Sequence, residues 1–331
     1  MEQTLNRETV SIQDATQRYL ATVNTARSSN TARTYANGIS LFLLMLQEHE
    51  IKPDVTPVAD LNEDAVAWFC ARLKDYSPAT ERLYLTAITG FYDYLAGENL
   101  ATINLPRIHL IIRQRARRPG VRLPQFPQND LDKVLEYALS LNILQAADEE
   151  EKLRNLRDRA FLITLADTGL RVHEACGLRR GDLDWNEGRA IVIGKGNRQA
   201  VVRFSKRAQN ALKDYLSARA QLDGSSGRPL RALPLFARHD PGAGKKVKPI
   251  TTATGRNIVN QRVAEILGQE AVGSITPHSF RHYFVTRVLQ ASGNLKLAQE
   301  LARHKNIAVT QRYAHLSDDE LDKGYIEAIE D

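Results

Sequence analysis

The segment NLPRIHLIIRQRARRPGVRLPQFP, residues 104–127, decides how this chain of 331 residues is organised. It contains four prolines and one glycine, and both residue types are typical of connections with little helix. A chain of this length also favours two domains over one. We therefore predict an N-terminal domain over residues 1–104, a basic linker over residues 105–125 and a second domain over residues 126–331.

The same segment carries a concentrated positive charge. No acidic residue stands between Glu98 and Asp130, and the arginines there are Arg107, Arg113, Arg115, Arg117, Arg118 and Arg122. Their six charges equal the formal net charge of the whole chain, +6. Such a cluster suits contact with the phosphates of a nucleic acid. A solvated charge run that only aids solubility explains the charges equally well.

Four stretches before the linker repeat apolar residues at helical spacing, at about residues 12–27, 29–46, 62–76 and 77–97. The fourth stretch begins with Ser77 and Pro78, a capping residue followed by proline at the first helical position. Helices joined by short loops form compact bundles. The first domain is therefore predicted to be a four-helix bundle.

The second domain is predicted to be mostly helical, with one β interlude. Residues 190–193 and, apart from Arg203, residues 200–204 are apolar and flank the turn sequence GKGNRQ, which indicates a β-hairpin. The acidic run at 148–151 indicates an exposed helix start, and the glycine- and proline-containing stretch 222–249 a long irregular connection. The expected fold class is mainly α, with a mixed α/β second domain that holds a small hairpin sheet.

The composition gives no support to a membrane or metal protein. The most apolar runs are far shorter than a membrane span, and the N-terminus has no signal-peptide core. The two cysteines, Cys70 and Cys176, are predicted to be small buried hydrophobic residues, because two scattered thiols build neither a disulfide framework nor a metal site. We expect no cofactor, and a reducing cytoplasm is consistent with free thiols.

Two basic residues stand beside glycines. DTGLRVHE, residues 167–174, places Arg171 just past a turn at the start of a helix, where an anion can be held with help from the helix amides. Glu174 could orient the Arg171 guanidinium, although a plain surface ion pair explains the pair as well. Lys195 lies in GKGN, which lacks the spacing of a phosphate-binding loop, so by itself it indicates an exposed hairpin turn.

PHSFRH, residues 277–282, places His278, Arg281 and His282 on one helical face. A zinc site is disfavoured, because an arginine rather than a catalytic glutamate stands between the two histidines and a cation beside a metal is unfavourable. His278 and Arg281 are better suited to hold phosphate oxygens. We therefore expect no metal.

The last candidates are His304 in LARH and Tyr313 in TQRYAH, although Tyr313 alone is most simply a packed aromatic. Together, the arginines, lysine and histidines suit a phosphodiester that passes through a five-coordinate state with extra negative charge. A tyrosine among cations is activated as a nucleophile, because cations favour its phenolate. No carboxylate cluster suited to magnesium accompanies them in the sequence, which argues against two-metal hydrolysis.

Taken in order, these clusters resemble the tyrosine recombinase, or phage integrase, family. Its signature of Arg, Lys, His-x-x-Arg, His or Trp, and Tyr falls on Arg171, Lys195, His278, Arg281, His304 and Tyr313. TGLRVHE places Glu174 at the acidic position of the family motif, while Arg303 replaces the usual glycine before His304. The first domain is similar to the helical, SAM-like core-binding domain of the family. Essentially the whole chain is covered, in the simple Xer-type or Cre-type layout.

The resemblance implies a mechanism. Tyr313 would attack the scissile phosphate and form a 3′-phosphotyrosyl link, with His278 assisting the transfer of its proton. Lys195 would protonate the departing 5′-hydroxyl. Arg171, Arg281 and His304 would hold the phosphate. Because the ester keeps the bond energy, rejoining would need neither ATP nor metal.

The resemblance also implies partners and a location. The DNA would be a double-stranded core site with inverted repeats, contacted along its backbone by the linker arginines. Four protomers would act on two sites through a Holliday junction, each docking its C-terminal tail on a neighbour. The protein would work in the cytoplasm, at the nucleoid, without a membrane.

Two other functions stay open. A type IB topoisomerase shares the chemistry but relaxes supercoils, and the helical first domain argues against it. A non-catalytic DNA-binding protein would have a decayed site, and the six ordered signature residues argue against that.

Overall fold

The computed structural model describes residues 10–117, 127–141, 146–194, 198–240 and 247–311. The chain divides into two compact units, Met1–Arg122 and Leu123–Asp331. Several predicted features lie outside the described residues: Lys195, Tyr313, Arg118, Arg122 and the C-terminal tail.

All four predicted helices of the first unit are present, and a fifth follows them. The five are α1 Ile12–Ala26, α2 Ser29–Glu48, α3 Asp64–Arg72, α4 Pro78–Gly97 and α5 Leu105–Arg115. Ser77 caps α4 as predicted, since its side chain accepts a hydrogen bond from the N–H of Thr80. Short 3₁₀ turns at Val58–Asp60 and Leu73–Asp75 complete the unit. Its core combines aliphatic and aromatic side chains, with Phe42 and Phe69 packed edge to face.

The helix α5 corrects the prediction of a helix-poor linker over residues 105–125. Pro106 lies in the first turn of α5, where a missing N–H breaks no helical hydrogen bond. The Asn104 side chain caps the helix by accepting from the N–H of Arg107. Ile108 and Ile111 are buried in the core of the unit. Pro106 therefore marks where this helix begins rather than an absence of helix.

The second unit is mostly helical, as predicted. Its helices are α6 Gln128–Ser140, α7 Glu149–Thr168, α8 Val172–Gly177, α9 Lys206–Ala218, α10 Ala220–Gly224, α11 Thr252–Leu267, α12 Pro277–Ser292, α13 Leu295–Ala302 and α14 Ile307–Gln311. Asp148 caps α7 at the predicted acidic start. Of the predicted irregular stretch 222–249, the described residues 222–240 and 247–249 are largely irregular apart from the end of α10 and a 3₁₀ turn at Leu230–Ala232.

The predicted hairpin is present and belongs to an antiparallel sheet of three strands. The strands are β1 Leu183–Asp184, β2 Arg189–Gly194 and β3 Arg198–Arg203, in that spatial order. Ile191 pairs with Val201, and both side chains are exposed, whereas Val192 and Val202 on the other face are buried. This alternation fastens one face of the hairpin to the core of the unit.

A large apolar core positions the helices that carry the candidate site. Phe161 on α7, Phe280 on α12 and the irregular-segment residue Phe236 are fully buried in it. Cys70 and Cys176 are buried free thiols, which confirms their predicted packing role. In the part of the chain that the structure describes, no helix is both long and apolar enough to span a bilayer.

Candidate active site

A tight turn at the end of α7 delivers Arg171. Gly169 adopts φ +58°, and a Cβ there would lie 2.5 Å from the Phe284 ring, so only glycine fits. Arg171 then caps the N-terminus of α8. Its backbone N–H donates to Oε2 of Glu174 at 2.8 Å, and its Nη1 donates to Oε1 at 3.0 Å. Glu174 therefore contacts both the backbone and the guanidinium of Arg171.

The two members of this pair differ in exposure. The Glu174 side chain is 2% exposed, whereas that of Arg171 is 42% exposed. Burial alone would raise the pKa of Glu174, but the charge of Arg303 and the hydrogen bond from the Arg171 N–H hold this pKa below its ordinary value. Glu174 is thus a buried, ionised anchor, and Arg171 is anchored on one side while open to a ligand.

Arg281 on α12 brings three parts of the sequence together. It is almost fully buried, and its Nη1 donates to the carbonyl oxygen of Gly169 at 2.5 Å. Its Nη2 donates to the carbonyl oxygen of Ala302, at the end of α13. The Arg281 guanidinium therefore ties the turn before Arg171 to the residues before His304.

The histidines of α12 are held neutral by their surroundings. Burial and the nearby charges of Arg281 and Arg171 lower the pKa of His278 below its ordinary value. His282, whose ring lies 4.4 Å from that of His278, has its pKa lowered to about 4 by burial and by His278 and Arg281. A neutral His278 can accept a proton at pH 7. Among the described residues, no three acidic, histidine or cysteine side chains converge on a metal position.

His304 follows α13 and faces the same charges. Its Nδ1 lies 2.9 Å from Oγ1 of Thr310, which fixes the ring. Burial, followed by the charges of Arg281 and Arg171, lowers the pKa of His304 to about 4. Four of the six predicted signature residues, Arg171, His278, Arg281 and His304, are therefore brought together within the second unit. Lys195 and Tyr313 fall outside the described residues.

Two clefts meet at Arg171. One, of about 430 Å³, is lined by Arg171, Arg256, His278 and Arg281 among others. The other, of about 940 Å³, lies between His304 and strands β2 and β3 of the hairpin. The smaller cleft has three arginines and no acidic residue in its lining, which suits an anionic ligand that passes over Arg171. The larger cleft combines apolar residues with Arg203, Arg303 and Lys305, and with the acids Glu174 and Glu300.

Arg303 is a site residue that the sequence did not identify, because it entered only as a departure from the family motif. It lines the larger cleft, and its Nη2 donates to Oε2 of Glu174 at 3.0 Å. The available signal was a long basic side chain at a position where glycine is usual.

The four linker arginines that the structure describes fall into two groups. Arg107 binds Asp64 at 2.6 Å and Glu63 at 3.3 Å, and Arg117 binds Glu81 at 2.5 Å. Arg113 and Arg115, in the last turn of α5, are exposed. The prediction that all six arginines serve DNA phosphates did not foresee these carboxylate partners, because the acids precede the arginines by 36 residues or more.

Comparisons with known proteins agree on one family. The phage integrase family matches residues 134–320, and the N-terminal SAM-like domain of phage integrases matches residues 16–99. The tyrosine recombinase XerC of Thermodesulfovibrio yellowstonii is 29% identical over 290 residues, which cover 87% of this chain and 86% of that protein. XerC of Staphylococcus aureus is 27% identical over 320 residues, 96% of each chain.

A solved structure shows the same fold. The XerH site-specific recombinase, bound to its palindromic difH substrate in a post-cleavage complex, superposes with a TM-score of 0.65 at 21% identity. The match covers 96% of this chain and 90% of that one. The helical first domain and the mixed second domain are therefore an arrangement found in known recombinases.

Proposed function

This chain belongs to the phage integrase family, and from that premise we propose that it is a tyrosine-type site-specific recombinase that cuts and rejoins duplex DNA. The observation that carries the proposal is the gathering of Arg171, His278, Arg281 and His304 at one place in the second unit. These residues come from three separate parts of the sequence, and a cluster of this kind suits a phosphodiester in its transition state.

In the proposed reaction, Tyr313 is the nucleophile. Its phenolic oxygen attacks the scissile phosphorus, the bond from phosphorus to the 5′ oxygen breaks, and a 3′-phosphotyrosine forms. His278, neutral at pH 7, accepts the phenolic proton, and Lys195 gives a proton to the departing 5′ oxygen. The reverse attack by a 5′-hydroxyl restores the phosphodiester, so no energy source is consumed.

The phosphate is held by positive charge. Arg171 presents its exposed guanidinium while Glu174 fixes its direction, and Arg281 adds a second guanidinium from α12. His304 completes the set as a hydrogen-bond donor. Since these groups offset the developing negative charge, the chemistry proceeds without a metal ion.

The partner is double-stranded DNA, and we propose that its core site carries inverted repeats bound by four protomers on two sites. The palindromic substrate of the XerH complex supports this arrangement. Exchange then passes through a Holliday junction. The match of residues 16–99 to the SAM-like domain of phage integrases favours recombination over topoisomerase activity.

The test is a covalent-adduct assay. Duplexes are first selected from a random library by binding to the Tyr313→Phe variant, then nicked beside the scissile phosphate so that cleavage is trapped. The parent protein is expected to form an adduct that survives denaturing electrophoresis, and Tyr313→Phe to bind the duplex without forming it. Tyr137→Phe, which loses only the 3.2 Å contact with Glu265, is the matched control and should react normally. Adduct from Tyr313→Phe at the parent yield would reject the assignment.

A further inference from the structure

Arg303 occupies an unusual backbone position. It ends α13 with φ +58° and ψ +43°, the left-handed conformation that glycine adopts freely and that a side chain disfavours. In the described part of the chain, only Glu50 and Asn99 share a positive φ without being glycine. The family motif has glycine where this chain has Arg303. This chain therefore carries a long side chain at a left-handed backbone position that favours glycine.

Stability explains the Arg303 side chain only in part. It is 12% exposed, and its Nη2 donates to Glu174 Oε2 at 3.0 Å and, more weakly, to the Gly169 carbonyl oxygen at 3.4 Å. Its Nε and Nη1 are buried and have no acceptor among the described residues. Buried donors without acceptors destabilise a fold. The residue therefore combines an unfavourable backbone conformation with incomplete hydrogen bonding.

The contact with Glu174 places Arg303 in the phosphate site. Oε1 of Glu174 accepts from the Arg171 guanidinium, while Oε2 accepts from the Arg171 N–H and from Arg303. With Arg171 alone, the carboxylate would cancel the arginine charge. With Arg303 added, the three side chains carry a net charge of about +1, close to a ligand that meets the exposed side of Arg171.

We infer that Arg303 is a positioning residue for DNA cleavage, which holds Glu174 so that Arg171 keeps both its orientation and its positive field. This inference rests on the proposed recombinase function. Arg303 acts through Glu174 and is distinct from the six signature residues. Its contribution should appear in the cleavage rate more than in DNA binding, because the phosphate gains negative charge in the transition state.

The first test uses Arg303→Gly, which keeps the left-handed backbone and removes only the side chain. In single-turnover reactions on the selected, nicked duplex, adduct formation should slow by roughly 10- to 100-fold. The Kd for the same duplex should change by less than about threefold, because the DNA has many other contacts. The Tm should change by no more than about 3 °C in either direction, because the loss of the ion pair with Glu174 opposes the relief of the left-handed backbone.

Further variants test whether Arg303 acts on the cleavage rate by positioning Glu174. Arg303→Lys keeps the charge and should recover part of the lost rate. In a Glu174→Gln background, Arg303→Gly should slow cleavage by less than about twofold, because the carboxylate through which it acts is gone. Glu50→Gly, in the other unit, removes a side chain from the same backbone conformation and should leave the rate unchanged.

The outcomes are distinguishable. A parent protein that forms no adduct overturns the proposed function and this inference with it. Normal cleavage by Arg303→Gly, whether its Tm rises or falls, overturns the inference alone. An equal loss of rate in the parent and in the Glu174→Gln background shows that Arg303 does not act through Glu174, and also overturns it.

Discussion

Two buried carboxylates, one in each unit, each bind two basic residues, yet their surroundings differ. Glu81 on α4 is 1% exposed and binds Lys74 at 3.0 Å and Arg117 at 2.5 Å. Glu174 on α8 is 2% exposed and binds Arg171 and Arg303, each at 3.0 Å. Burial and the number of basic partners therefore do not distinguish the two clusters.

What distinguishes them is how the basic partners are used. Around Glu81 the partners also bind backbone: Arg117 donates to the carbonyl oxygens of Leu73 and Tyr76, and Lys74 donates to that of Arg115. Around Glu174, Arg171 keeps an exposed face and Arg303 keeps two donors without described acceptors. The saturated cluster fastens the residues after α5 to the first unit. The unsaturated cluster leaves donors without described acceptors, and our proposal assigns its positive charge to a DNA phosphate.

The largest expected effect is on stability, at the saturated cluster. Glu81→Ala should lower the free energy of unfolding by about 3 kcal/mol, because two cations lose their buried partner. We take the low end of the range for buried pairs, since Lys74 and Arg117 are 40% and 35% exposed and can be rehydrated. Urea unfolding of the full chain measures the change, with exposed Glu98→Ala as the control.

The same cluster should respond to acid. Burial would raise the pKa of Glu81, but hydrogen bonds from Arg117 and Lys74 hold it below its ordinary value. Stability from this group is therefore complete above the ordinary range near pH 4.5 and is lost as the pH falls through the lower, folded pKa. If Glu81→Ala unfolds like Glu98→Ala, Glu81 does not fasten the unit and the comparison fails.

A smaller effect is expected at the unsaturated cluster, in the pH dependence of cleavage. Burial, followed by the positive charges of Arg281 and Arg171, lowers the pKa of His278, and the proposed mechanism needs His278 neutral. Between pH 8 and 6.5 the cleavage rate should therefore show no loss from His278 titration. Below its lowered pKa the rate should fall by up to about tenfold per pH unit. Single-turnover adduct formation measures this profile.

Two controls make the profile specific. His278→Asn should cleave slowly and lack the acid limb, whereas His282, with a pKa of about 4, is neutral over the range tested. Tm at each pH excludes unfolding as the cause. An acid limb that begins above pH 6.5, or that persists in His278→Asn, would contradict the role given to His278.

Local signals in the sequence predicted the elements well. Ser77 with Pro78 marked the start of α4, and alternating apolar residues marked β2 and β3. Helix α5 was missed because Pro106 was interpreted as a helix breaker, although proline is compatible with a first helical turn. Proline therefore indicated the start of α4 correctly but obscured the start of α5.

Long-range contacts could not be predicted in the same way. Glu81 and Arg117 are separated by 36 residues, and Glu174 and Arg303 by 129, so no spacing rule connects them. The family signature identified Arg171, His278, Arg281 and His304, because the residues of that signature share one site whatever their distance in sequence. Arg303 has no place in that signature, and only its backbone conformation and its contact with Glu174 reveal it.

The smallest expected effect tests whether the same distinction applies to the linker arginines. Arg107 and Arg117 have carboxylate partners, whereas Arg113 and Arg115 are exposed and make no ion pair with a described residue. Arg113→Ala with Arg115→Ala should flatten the log–log salt dependence of DNA binding by about two units, one for each phosphate contact. Affinity should fall by similar factors for the selected duplex and for random DNA, because phosphate contacts carry no sequence information. Arg107→Ala, the matched control, should leave the salt slope unchanged. Should Arg107→Ala flatten the slope as much as one of the exposed arginines does, a carboxylate partner would not exclude DNA contact and the distinction between the two kinds of cluster would not extend to the linker.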